Sequence, residues 1–307
     1  MPEAAGAGSE PGSGQAVTAH AARRGFGAAF VGFVFFSTSP ALVAGSSLGA
    51  IPVAFWRAWI AVALFTGLAA ARRTLSRQTW IYTMAPGITF GVATALFFEA
   101  AQRTSVANAT LISAMQPLPL VVAARYLFGE RVGVPDLGWI ALALSGTMFM
   151  ILGADSSGSA ALSGDLIAVG AMVLSASYFV LGRRARRHLE ALPFMAGTML
   201  WAGLTLTPLM LVADQPIMPA GGSEWGRLAA IALVPGFGHL LINYAHRSVA
   251  LVVIGLLQLL MPIGATILAW WFLDQGVTGF QFVGMAVVIV ALAAHTSYRS
   301  RLAGLAA

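Results

Sequence analysis

Three ionisable side chains stand out within apolar runs of this chain: Arg57, Glu99 and His239. An ionisable group inside a bilayer costs about 2.5 to 3.5 kcal/mol on insertion scales, so such residues mark binding sites or ion and proton paths. Arg57 can hold a substrate's negative charge. Glu99 falls at a similar depth by sequence, where it can pair with Arg57 or form an outer gate. Glu99 and His239 are also the groups able to exchange a proton there, which makes them the candidates for proton coupling. A second set is polar and uncharged. Gln116 and Gln258 lie in mid-run, close to Pro117 and Pro262, and Ser37 and Thr38 precede Pro40 in the first run. Proline frees a backbone carbonyl and bends a helix, while an amide offers both a donor and an acceptor. With Asn108 these residues suit the lining of a polar cavity, and hydrogen bonding between helices is the competing use. Trp201 and Tyr178 can add aromatic walls.

The rest of the chain must be what positions them. It has 307 residues, 58% hydrophobic and 9% charged, with a mean hydropathy of +0.82. A soluble domain carries about a quarter charged residues, so the composition is that of a polytopic membrane protein. All seventeen basic residues are arginine. They sit in short clusters between apolar runs, which speaks against a nucleic-acid partner. Without lysine there is no P-loop, and without cysteine no disulfide, thiolate nucleophile or cysteine-held metal. Neither an HExxH run nor paired carboxylates within the spans suggest a metalloenzyme, and no cofactor is expected. Ser145-Gly146 with a distant histidine is a weak hint of an intramembrane hydrolase and lacks a nucleophile elbow, so the chain is not expected to be an enzyme.

A spanning helix needs about 20 mostly apolar residues. Ten segments qualify: 26–46, 52–71, 81–101, 105–127, 137–153, 165–183, 191–213, 227–245, 249–273 and 278–297. Residues 1–22 are an aperiodic mix expected to be a disordered tail, and 299–307 form a second tail. Arg23-Arg24-Gly25-Phe26 resembles a twin-arginine signal, but nine further spans make it an anchor before the first span. With the N-terminus inside, fourteen arginines (23, 24, 72, 73, 77, 125, 131, 183, 184, 186, 187, 247, 299 and 301) fall on the cytoplasmic side, against two (103 and 227) outside. Dropping one span would scatter these clusters.

The stretch from Arg103 to Gly153 returns in weaker form from Arg247 onward, with Gln258 and Pro262 recurring and Asp274-Gln275-Gly276 replacing Phe128-Gly129-Glu130-Arg131. Such a repeat means one unit used twice. Residues 23–153 and 165–298 each hold five spans, joined by 154–164. Five is odd, so the second copy is inverted. The expected fold is therefore all-α, with ten transmembrane helices in two inverted five-helix repeats. Inverted repeats place a substrate path at their interface and permit alternating access by rocking one half against the other.

The segments TSVANATLISAMQP (104–117), FGER (128–131) and LGWIALALSG (137–146), with FFSTSPALVAGSSLGAIPVAFWRAWIA (35–61), resemble the EamA domain of the drug/metabolite transporter superfamily. The likeness covers about residues 25 to 300. Two departures are visible: Gln116 and Met261 stand where members often carry glutamate before the proline, and the second copy lacks the GER loop. The resemblance implies an inner-membrane exporter or exchanger of small metabolites or drugs, with a central cavity and spans 5 and 10 peripheral. A lipid flippase of the same fold is the main alternative, and a channel has no ring of charges or filter-like loop in its favour. The partners expected are a small-molecule substrate and the lipid bilayer, with a homodimer left open. Glu130-Arg131 is expected to be a solvated charge pair behind a Gly129 helix cap. Reporter fusions after Ala307 and within 154–164 should report opposite sides of the membrane; the same side for both would exclude ten spans.

Overall fold

A computed structural model describes residues 11–44, 46–104, 106–153, 162–213, 215–273 and 276–305. Among these the chain forms thirteen helices and no strand. Span 1 is α1 (Pro11–Phe36) with α2 (Ser39–Ala44), span 2 is α3 (Ala50–Ala71) and span 3 is α4 (Arg77–Arg103). Span 4 is α5 (Val106–Ala114) with α6 (Pro117–Phe128), and span 5 is α7 (Val134–Leu152). Spans 6, 7 and 8 are α8 (Leu162–Ala185), α9 (Ala191–Val212) and α10 (Gly222–Ala245). Span 9 is α11 (Leu251–Leu257) with α12 (Leu260–Leu273), and span 10 is α13 (Gly279–Leu305). Nine of these, all but the first, are long and apolar enough to cross a membrane by length and composition. Helix α1 begins at Pro11, so residues 11–22, expected to be a disordered tail, are helical. Their alanine-rich AVTAHAA run extends the span with good helix formers. Helix α13 likewise runs through the expected C-terminal tail to Leu305. Most of the 154–164 joint lies outside the described residues.

The three broken spans have one cause. A proline ring clashes with the carbonyl four residues back and donates no hydrogen bond to it. For Pro40, Pro119 and Pro262 those carbonyls belong to Phe36, Met115 and Gln258, and α1, α5 and α11 end at Phe36, Ala114 and Leu257. Polar side chains gather at these breaks. Ser37 Oγ donates to Val34 O at 2.6 Å and Thr38 Oγ1 to Phe35 O at 2.7 Å, taking up carbonyls at the helix end. Other ends are capped conventionally: Ser76 and Thr79 form a capping box at α4, and Gly129 closes α6 at φ 66°, a left-handed turn that glycine adopts without strain.

Helix packing follows the inverted repeat. Helix α1 packs on α10 as α8 packs on α4, and α3 packs on α9, α7 on α13 and α6 on α11. Each pairing joins one repeat to the other. The two repeats are therefore interleaved, and the seams that would resist motion run between them. Glycine makes the closest approaches. A Cβ on Gly32 would lie 2.8 Å from Gly238 O, and one on Gly238 would lie 2.6 Å from Gly32 O, so α1 and α10 cross backbone to backbone. Helices α7 and α13 cross in the same way at Gly146 and Gly284. Without a hydrophobic drive between helices in lipid, such close packing is a main source of association. Gly238→Leu should lower thermal stability in detergent by about 1 to 3 kcal/mol, the range for overpacking a tight contact. Gly67→Leu on α3, where nothing lies within 4 Å, should leave the melting curve close to wild type.

Candidate functional site

The breaks in spans 4 and 9 meet. Gln116 Oε1 accepts from Gln258 Nε2 at 2.7 Å and from Ser175 Oγ on α8 at 3.1 Å. Gln116 is 3% exposed, and its Nε2, like Gln258 Oε1, is buried without a hydrogen-bond partner. Ser37, at the break in span 1, is 1% exposed and lies against Gly264 of α12. A mid-bundle joint of broken helices thus holds one spare donor and one spare acceptor. Buried polar groups are normally paired, so these two are available to a polar solute.

A second cluster is aromatic and cationic. Arg57, the eighth residue of α3, lies about 10 Å along the helix from its start at 1.5 Å per residue. Its guanidinium sits 5.5 Å over the Phe90 ring of α4, within range for a cation–π contact. Phe90 also meets Tyr178 of α8 at 5.0 Å and His239 of α10 at 5.2 Å between ring centroids, and Phe36 meets His239 at 4.4 Å. Asn243 Nδ2 donates to Tyr178 Oη and to His239 O, both at 2.8 Å. His239 is 3% exposed, and both its ring nitrogens are unpartnered, as is Asn243 Oδ1.

The arginine-rich end is tied differently. Glu130 Oε1 accepts from Leu251 N at 2.8 Å and Oε2 from Val252 N at 3.4 Å, capping α11 of the other repeat. Arg183 Nη1 lies 2.7 Å from Glu130 Oε1, and its guanidinium lies 4.8 Å over Phe128. Glu130 is therefore half-buried and paired across the two repeats, not a solvated pair with Arg131 as expected. A carboxylate at a helix N-terminus satisfies orphan N–H groups and complements the helix dipole. Nearby, Arg186 is 1% exposed and donates to the carbonyls of Asn243 and Leu189. Burial, then the neighbouring Arg247, brings its guanidinium down to about 10. At the opposite end, Trp56 Nε1 donates to Ile217 O at 2.7 Å, its ring meets Trp225, and Ser46 bonds to the Glu224 carboxylate.

Several expected site residues fall elsewhere. Glu99 does not meet Arg57. Its carboxylate takes Arg103 Nε, four residues on along α4, at 2.6 Å and remains 33% exposed. The two do not share a depth: Arg57 lies beside Phe90, nine residues and about 13 Å back along α4 from Glu99, and the nearest cation on its own helix face takes Glu99. Trp201 donates to Trp80 O at 2.9 Å and lies against Gly87, which fixes it in the α4–α9 seam. Thr38 is occupied by the Phe35 carbonyl. The Asn108 side chain lies outside the described ones. Sequence reasoning missed a buried cluster between spans 5 and 10, where Asp136 Oδ1 meets His295 Nε2 and Arg299 Nε, each at 2.9 Å. His295 is an ionisable residue within an apolar run, the same signal that singled out His239.

His246, just past α10, is 3% exposed with both ring nitrogens unpartnered. Burial, then Arg183 and Arg186 beside it, pushes its imidazole down to about 3. A folded-state value below the unfolded one means the unfolded chain binds the extra proton. Stability is lost as pH falls from about 6.5 toward 3, by up to about 1.4 kcal/mol per pH unit. His246→Phe should flatten the fall in melting temperature between pH 7 and pH 5. An unchanged slope would show that this imidazole does not titrate on unfolding.

The family model described as the EamA-like transporter family matches residues 23–152 and 162–296. Among similar proteins, a chloroplastic WAT1-related protein of Arabidopsis thaliana is 25% identical over 203 residues, 62% of this chain and 48% of that protein. The uncharacterized transporter YyaM of Bacillus subtilis is 27% identical over 64% of this chain and 66% of its own length. The pseudopaline exporter CntI of Pseudomonas aeruginosa is 27% identical over 71% of this chain and 78% of its own. The matches thus span about half of the first relative and about two thirds of the second. A crystal structure with 22% sequence identity superposes with a TM-score of 0.79, covering 92% of this chain and 99% of that one, a likeness of fold. Two matched segments that together take in nearly the whole chain, each carrying one copy of the five-span unit, settle the kinship: this chain belongs to the EamA-like transporter family.

Proposed function

We propose that this chain is a secondary carrier that exports or exchanges small molecules by alternating access in the plasma (inner) membrane, with both termini cytoplasmic. The observation that carries the reading is the meeting of two broken, repeat-related helices at Gln116 and Gln258. Irregular backbone and spare amide groups at membrane depth are tolerated where they serve a solute path. The ties at the two ends are of the kind an access cycle must break in turn: Glu130 with Arg183 and α11 at one, Trp56 with Ile217 and Trp225 at the other. The family and the printed names of YyaM and CntI, a transporter and an exporter, support the same reading. A lipid substrate is the second reading. A cleft of about 260 Å³ between α4 and α8, lined by Ile81, Tyr82, Pro86, Leu181, Arg184 and His188, has the mixed apolar and basic lining a headgroup needs.

Purified protein in proteoliposomes tests both. Counterflow of a solute that saturates and depends on the solute trapped inside supports the carrier, whereas scrambling of labelled lipid without solute flux supports the flippase. Gln116→Ala and Gln258→Ala should each lower solute flux severalfold while leaving expression and monodispersity intact. Wild-type flux in both variants would remove the glutamine joint from the path.

A further inference from the structure

Arg57 has neither a carboxylate partner nor a hydrogen bond among the described residues. Arginine is only ever a donor, and the interaction its guanidinium makes here is with the Phe90 face at 5.5 Å. It is part-exposed, yet the groups it senses belong to the bundle interior: Phe90 on α4, Tyr178 on α8 and His239 on α10. Its guanidinium therefore lies among interior side chains of the bundle. A cation held at membrane depth without a counter-charge is expensive, and such residues are ordinarily paired. The groups around it are unfinished in the same sense. Both His239 ring nitrogens are buried without a partner. The Tyr178 hydroxyl accepts from Asn243 Nδ2, which leaves its own proton to donate. Arg57, Tyr178 and His239 all border the ring of Phe90, so three donor-bearing side chains and an aromatic face lie together, with no acid among them.

We infer that this cluster is the recognition site for the anionic group of the carried solute, a carboxylate or phosphate bound by Arg57 on an organic molecule whose apolar part packs on Phe90. The inference rests on the carrier reading for its physiological meaning, but the site itself is a binding site and is tested as one. Arginine presents parallel N–H groups that match a carboxylate or phosphate in two hydrogen bonds, and the low local dielectric strengthens them. A cationic solute would meet an unscreened like charge there, which gives the site its selectivity.

The test is a thermal-shift and equilibrium-dialysis screen of purified full-length protein. The panel pairs carboxylates such as phenylacetate and phosphomonoesters such as phenyl phosphate with neutral phenylacetamide and cationic phenethylamine. Anions alone should bind and raise the melting temperature of the wild type. Arg57→Gln should weaken anion binding by about tenfold or more, as expected for loss of a charge-assisted contact, and Arg57→Lys should recover part of it. Which anion binds more tightly separates a carboxylate from a phosphate solute. Binding of neutral or cationic members as tight as that of the anions, equal anion binding in wild type and Arg57→Gln, or no anion binding by folded wild type would each overturn the inference. Should Arg57→Gln fail to fold, the wild-type panel and Arg57→Lys decide. Anion binding without flux in proteoliposomes would leave the site standing and reject the carrier reading; flux without anion selectivity would do the reverse.

Discussion

Backbone hydrogen bonding at membrane depth is the constraint on which the rest of this fold depends. Lipid offers no partner to a free N–H or C=O, so a helix may break only where something polar takes over. Here the breaks follow the prolines, and each break brings polar side chains with it. Ser37 and Thr38 occupy carbonyls of α1, and Gln116 and Gln258 turn to each other. The polarity of the bundle centre is thus a product of where the helices had to be interrupted. A continuous apolar span 4 and span 9 would have left no reason for two amides to be there.

Around that centre, attraction comes from shape. Glycines at positions 32, 238, 146 and 284 let four helices touch along their backbones, and the dispersion contacts of such seams replace the hydrophobic drive that lipid removes. Charge is pushed to the ends. Glu130 spans the two repeats by capping α11 and pairing with Arg183, while Asp136, His295 and Arg299 lock spans 5 and 10 together. Arg57 stands apart from these, a cation within the bundle with no carboxylate partner among the described residues.

Much of this was legible in the residues. The succession of apolar spans, the duplication, the Gly129 turn and the kinship of Gln116 with Gln258 all follow from local pattern, because hydropathy, proline and glycine act within a few residues of themselves. Partner choice was not legible in the same way. Glu99 and Arg57 were matched by counting from span ends, but the structure sets Arg57 beside Phe90, about 13 Å along α4 from Glu99, which pairs with Arg103. Glu130 seemed solvated from its loop sequence, since the α11 terminus that receives it lies 121 residues further on. The meaning of Asp136 and His295 comes from the pairing of α7 with α13, which neither span carries alone.

The interleaving of the repeats also governs how the molecule can be made. The ribosome delivers spans 1 to 5 before any of spans 6 to 10 exist, yet α1 seats on α10, α4 on α8 and α9, and α7 on α13. A nascent first repeat therefore reaches the bilayer with its glycine-lined faces bare, able to cross the membrane but not to fold. Its helices must wait, loosely associated, until their upside-down counterparts emerge. Insertion and folding are separated in time by the topology itself, and the seam offered by α7 stays open until α13 emerges.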